Sequence, residues 1–131
     1  MQFKPNHYLA FVLSEVSRTL LLQKFQPKFS KVIAHHITLD FCPTQKSIDD
    51  YQDMLSLCPI VTVYGYAQGD GVECVAVNCA NTSQRLDGKF FHITLSVEPP
   101  HKPVESNLLF DQIKLLMSGL LLSGTLELVR K

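Results

Sequence analysis

Two short segments carry the residues best suited to chemistry, His36-Ile37-Thr38-Leu39 and His92-Ile93-Thr94-Leu95. Each reads as part of a strand, so alternation puts its histidine and threonine on one face and its Ile and Leu on the other. Two imidazoles on opposite walls of a groove can share the breaking of a phosphodiester. One removes a proton from the attacking water, and the other protonates the departing ribose oxygen. The threonine hydroxyl beside each, helped by backbone N–H groups, can hydrogen-bond the non-bridging oxygens as charge builds. No metal enters this scheme. With five histidines in 131 residues, an identical tetrapeptide used twice in strand context is hard to ascribe to coincidence.

The elements that must position these groups follow from periodicity and breaks. His7 to Leu13 is a dense apolar run of strand length, and Ser14 offers an N-cap to a helix over about 15–25. Val16, Leu20, Leu21 and Phe25 would line its inner face, with Arg18 and Lys24 elsewhere, and Pro27 ends it. A strand over 31–41 would bury Ile33, His35, Ile37, Leu39 and Phe41 and present His36, Thr38 and Asp40 opposite. Ser47 with Asp50 suggests a capping box before a helix bearing Ile48, Tyr51 and Leu55, stopped at Pro59. PIVTVYGYAQ and GVECVAVNC around Gly69-Asp70-Gly71 predict a hairpin.

Asn81 to Gly88 reads as a loop, and KFFHITLSV as a strand with Phe91, Ile93, Leu95 and Val97 inward and Phe90, His92, Thr94 and Ser96 opposite. After a Pro-rich loop, Ser106 would cap a last helix along Leu109, Ile113 and Leu116, followed by a strand near Leu121 to Val129. Each tetrapeptide is thus followed by a loop, a capped helix and an apolar strand containing Gly65 or Gly124. Material used twice suggests two pseudo-equivalent lobes across a groove.

Paired His-x-Thr-hydrophobic motifs on strands of a duplicated α+β domain resemble the 2H (two-histidine) phosphoesterase superfamily, and the likeness covers nearly the whole chain. The resemblance implies a single domain over 1–131, two-lobed, with antiparallel-rich sheets around a central groove and helices outside. It also implies a metal-independent phosphodiesterase acting on RNA ends, 2′–5′ linkages, 2′,3′-cyclic phosphates or cyclic nucleotides. Carried over, His36 and His92 would be catalytic, and Thr38 and Thr94 would hold phosphate. The length and the segment HKPVESN are similar to compact RNA-repair and viral-type members, and the 56 residues between the histidines leave no room for long insertions.

Tyr64, Tyr66 and Phe90 could stack on a nucleobase, and Ser96 could touch phosphate, although packing roles compete for all four. A zinc site from His35, His36 and Cys42 matches no cage spacing, and His35 is expected in the core. Lys24, Lys28 and Lys31 read as a solvated cluster. Lys102, Ser106 and Asn107 read as a turn and helix cap rather than groove lining.

Composition narrows the partners. Twelve basic and twelve acidic residues cancel, so nothing grips long nucleic acid, and a polyanion must be small or met locally. Cys42, Cys58, Cys74 and Cys79 show no CxxC spacing, and no basic stretch leads into an apolar signal segment, which predicts a cytoplasmic chain with free thiols. Leu115 to Leu122, interrupted by Ser118 and Gly119, is too short to cross a membrane. The expected state is a monomer without cofactor, taking a nucleotide or RNA-end substrate. A module that binds such a ligand without cleaving it is the alternative. A ligase lacks its lysine motif and Gly-rich loop.

Overall fold

The run His7–Leu13 forms strand β1, and the Ser14 side chain accepts the Ser17 N–H to cap helix α1 (Glu15–Lys24). This computed structural model describes residues 1–117 and 119–131; Ser118 lies outside the described residues. Its inner face differs from the expected one. Val16 and Leu20 are exposed, Ser17 and Leu21 are buried, and Phe25 is partly buried. Ser17 can be buried because its hydroxyl accepts the Ser123 N–H at 2.7 Å, which satisfies the polar group. Arg18 does not point away: its Nε donates to the Ala34 carbonyl at 3.1 Å and its Nη2 to Ile33 at 3.3 Å.

Those carbonyls lie where the chain changes sheets. Instead of one strand over 31–41 there are two, β2 (Lys31–Val32) and β3 (His36–Asp40), separated at Ala34 with φ +44°. The kink leaves His35 exposed, and Phe41, past the end of β3 at Asp40, is exposed too, correcting their expected burial, while Ile37 and Leu39 stay in the core. Helix α2 (Gln45–Leu57) begins two residues before Ser47. Its cap is Thr44, which accepts the Ser47 N–H while the Ser47 hydroxyl accepts the Thr44 N–H. Ile48 and Tyr51 are buried on its inner face, as expected.

The hairpin of β4 (Val61–Gln68) and β5 (Val72–Cys79) forms as read. Gly71 has φ +77°, and a Cβ there would strike the His101 ring, so the turn requires glycine. β6 (His92–Val97) pairs with β5, and its expected alternation is only half visible because both faces are covered. Phe91, Ile93 and Leu95 join the main core, whereas Phe90 and Val97 pack in a second cluster with Leu109.

That second cover is a 3₁₀-helix, Pro103–Gln112, rather than a helix capped by Ser106. Its buried residues, Ser106 and Leu109, are three apart, the spacing that eclipses on a three-residue turn. Ile113 ends it, and Lys114–Leu115 is a short strand, β7. The closing strand is likewise split, into β8 (Leu121–Leu122) on β4 and β9 (Gly124–Arg130) on β1. Ser123 at the break bonds the hydroxyls of Ser14 and Ser17 at the start of α1.

The result is α+β, with two antiparallel sheets of unequal size, β3-β1-β9 and β2-β6-β5-β4-β7 with β8 also on β4. The main core lies where α1, α2 and both sheets meet. One carboxylate is buried in the larger sheet. Glu73 accepts from the Lys28 N–H at 2.7 Å, from the Tyr66 hydroxyl at 2.6 Å and from Ser96. Glu73→Ala strands three donors and is expected to cost about 2–4 kcal/mol in urea unfolding. An unchanged midpoint would remove the network's structural role.

Candidate active site

Pairing across the smaller sheet places the first motif. Val12 lies opposite His36 and Ala10 opposite Thr38, so Tyr8, Ala10 and Val12 share the face of that histidine and threonine. In the larger sheet, β6 presents His92 and Thr94 toward the side covered by the 3₁₀-helix. The crossing at Ala34 ties the two motifs together, because the Ile33 and Ala34 N–H groups donate to the Leu95 and Thr94 carbonyls, each at 2.8 Å. His36, Thr38, His92 and Thr94 all line one groove of about 580 Å³, a size ordinary for a small-molecule site.

His92 is buried, and its Nδ1 lies 3.3 Å from the Phe90 carbonyl. A carbonyl only accepts, so Nδ1 carries the proton and Nε2 keeps its lone pair. His36 sits between two partners, His35 Nδ1 at 3.0 Å from its own Nδ1 and the Tyr8 hydroxyl at 3.3 Å from Nε2. Burial raises the Tyr8 pKa and keeps the phenol protonated. Two tautomers satisfy both contacts: with the phenol donating to Nε2, His36 Nδ1 donates to His35, and with Nε2 donating to the phenol oxygen, Nδ1 accepts from His35.

Both imidazoles are hard to protonate in the empty groove. Burial, then the neighbouring His35, lowers His36 to about 4. Burial lowers His92 to about 4 as well, with Arg85, His36 and Lys89 adding to the effect against the Phe90 hydrogen bond. Each is therefore a free base at neutral pH. An anionic ligand between them is what would restore a proton to one.

The threonines differ. Thr38 is half-buried, and its hydroxyl makes no hydrogen bond among the described residues. Thr94 is buried, 3.2 Å from the Pro103 carbonyl and 2.8 Å from the Ser106 hydroxyl. To hold phosphate, the Thr94 proton must swing away from Pro103. Ser106 is thus the partner of a motif residue rather than a helix cap, and Asn107 lines the groove.

The remaining expected ligand contacts lie elsewhere. Tyr66 stacks on Phe25 and donates to Glu73, Tyr64 packs in the second cluster, and Ser96 is fully buried on Glu73. Phe90 lies beneath His92, ring centroids 4.9 Å apart, and is buried rather than open to a base. In their place the groove gains Tyr8, Asp40, Arg85, Asp87 and Lys89. Arg85 and Asp87 come from the segment read as a loop over 81–88, to which no role was assigned, and Lys89 from the start of the strand read after it. Tyr8 was hidden in an apolar run.

Among the described residues no three His, Cys, Asp or Glu side chains gather as a metal site, His35, His36 and Cys42 included. No described helix is long and apolar enough to cross a membrane. The four cysteines are unpaired, and burial raises the Cys74 and Cys79 thiols to about 12. No protein-family model, curated protein or solved structure that was compared with the chain matches it.

Proposed function

We propose that the protein is a phosphodiesterase of the 2H type, which opens or cuts a phosphodiester in an RNA end, a 2′–5′ linkage or a cyclic nucleotide without a metal. The observation that carries this reading is the meeting of His36 and His92, from different sheets, on one groove with Thr38 and Thr94. One motif on each sheet supports the two-lobed, duplicated arrangement, although the sheets differ in strand number. The phosphorus sits between the imidazoles. The neutral one accepts a proton as water attacks, and the protonated one passes a proton to the leaving ribose oxygen, so that one ring gains what the other gives up.

The choice of substrate is tested by offering a linear RNA end, a 2′–5′ dinucleotide, a cyclic dinucleotide and a 2′,3′-cyclic mononucleotide, and weighing the products. Cleavage of at least one, undiminished by EDTA, is expected. Activity lost to EDTA and restored by zinc overturns the mechanism.

The depressed histidines set the pH dependence. In the free enzyme, which governs kcat/KM, the acid must be protonated while the base is not. A group lowered to about 4 is almost wholly neutral at pH 7, so the competent form grows as pH falls toward that value. The kcat/KM profile is expected to peak below the free-imidazole value of about 6.5. The kcat optimum should lie higher, because bound phosphate favours the imidazolium. A kcat/KM maximum above pH 7 would contradict this assignment of the acid.

A further inference from the structure

Only two buried side-chain nitrogen or oxygen atoms among the described residues lack a hydrogen-bond partner, Arg85 Nε and Asn107 Oδ1. Both residues line the groove that holds the two histidines. An unmatched buried donor or acceptor is costly, and so few exist that two on one cavity demand a common cause. One is a cationic donor and the other a neutral acceptor. A ligand with an anionic oxygen at one end and an N–H at the other would satisfy both.

The surroundings hold Arg85 ready for such a ligand. Its guanidinium Nη2 donates to Asp87 at 2.7 Å, and its backbone N–H donates to the Lys89 carbonyl at 2.7 Å. The Leu86 N–H donates to the Tyr51 hydroxyl at 3.1 Å, which pins the loop to α2. Asp87 offsets one of the two positive charges that Arg85 and Lys89 bring to this loop, and Asp40 also lines the groove. Across the groove, Asn107 Nδ2 donates to the Val104 carbonyl at 3.1 Å, which fixes the amide with Oδ1 turned from that bond.

Position along the second motif tells which anion is met. Arg85 and Lys89 come from the loop ahead of β6, then comes His92, and Thr94 lies two residues farther on. The bridge between Gln84 and Phe90 and the bond of the Arg85 N–H to the Lys89 carbonyl set Arg85 beside Lys89, ahead of His92 along β6, whereas Thr94 follows it. Resting on the phosphodiesterase reading, we infer that Arg85 binds a second phosphate of the substrate, next to the one cleaved, and that Asn107 Oδ1 accepts an N–H of its base. The preferred substrates are then nucleotides carrying at least two phosphates.

The test compares a 2′,3′-cyclic nucleotide with and without a 5′-phosphate. Wild-type kcat/KM is expected to favour the 5′-phosphorylated compound at least tenfold. Arg85→Met should lose roughly 100-fold on that compound, equivalent to about 2.7 kcal/mol, and a clearly smaller factor on the other, where only its charge beside His92 is lost. Asn107→Leu should raise KM for both with little change in kcat. Equal losses by Arg85→Met on the two compounds would overturn the second-phosphate site. Should Arg85→Met fold poorly, Arg85→Lys keeps the charge without the Nε edge, and a partial loss confined to the 5′-phosphorylated compound is expected.

Calorimetric binding of a nucleoside 3′,5′-bisphosphate and of the matching 3′-monophosphate separates this inference from the proposed activity. Tighter bisphosphate binding that depends on Arg85, with no turnover of any substrate, keeps the site and overturns the enzyme. Equal binding of the two, indifferent to Arg85, overturns the site whatever the turnover.

Discussion

Replacing His92 with asparagine is expected to lower kcat by about 10³–10⁴-fold while nucleotide binding changes only a few-fold. The choice of asparagine follows from the geometry. Its side-chain nitrogen takes the place of Nδ1 and keeps the bond to the Phe90 carbonyl, so the loop ahead of β6 holds its shape. Only Nε2, the atom with a lone pair for the groove, is removed. His36→Asn should fall by a similar factor, and the double variant should be little worse than either single one, because acid and base act as a unit. Single-turnover kinetics with product analysis, alongside calorimetry of bound product, makes the measurement. Should His92→Asn retain a tenth or more of the parent kcat, the imidazole is neither acid nor base, and the binding-module alternative takes over.

That experiment concerns residues whose type and spacing already pointed to them. A strand alternation needs only local information, and the two His–Thr pairs kept their shared face even though the strand expected around the first is broken. The same holds for β1, for the Ser14 cap and for the turn at Gly69-Asp70-Gly71, each decided by a few neighbouring side chains. What sequence could not show depends on partners far along the chain. The left-handed Ala34 is held by Arg18, sixteen residues earlier, and by the backbone of β6. A serine on the inner face of α1 is tolerable only because Ser123 meets it there.

Arg85 illustrates the same limit within the groove. In a polar loop, an arginine two residues before an aspartate reads as solvated surface, and only the folded chain buries it beside His92. The aromatic residues weighed for base stacking took the packing role that competed for them. Tyr64 and Tyr66 are on a strand whose two faces are both used for packing, and both lie half-buried outside the groove. Helical spacing around Ile113 and Leu116 likewise lost to short-range 3₁₀ bonding and to pairing of β7 with β4.

Gly124→Ala should be strongly destabilising, costing at least about 3 kcal/mol or preventing folding. Gly124 opens β9 opposite Leu13, and a Cβ there would lie 2.1 Å from the Val12 carbonyl oxygen and 2.9 Å from its carbon. These are backbone atoms of the strand hydrogen-bonded on both sides, to β3 and to β9, so neither edge can give without breaking a ladder. Val12 is also the residue opposite His36, and any shift that makes room carries the His36 strand with it. Gly65, which follows the first motif as Gly124 follows the second, meets the Ile113 side chain at 2.6 Å, and a rotamer change there limits Gly65→Ala to about 1–2 kcal/mol. Gly88 has open space around it and φ +87°, so Gly88→Ala should cost only about 1 kcal/mol of backbone strain. Urea unfolding of the three variants is expected to rank them 124, 65, 88. A Gly124→Ala protein as stable as the parent would mean that β9 does not close against β1 in this register, and the wall that carries His36 would have to be rebuilt.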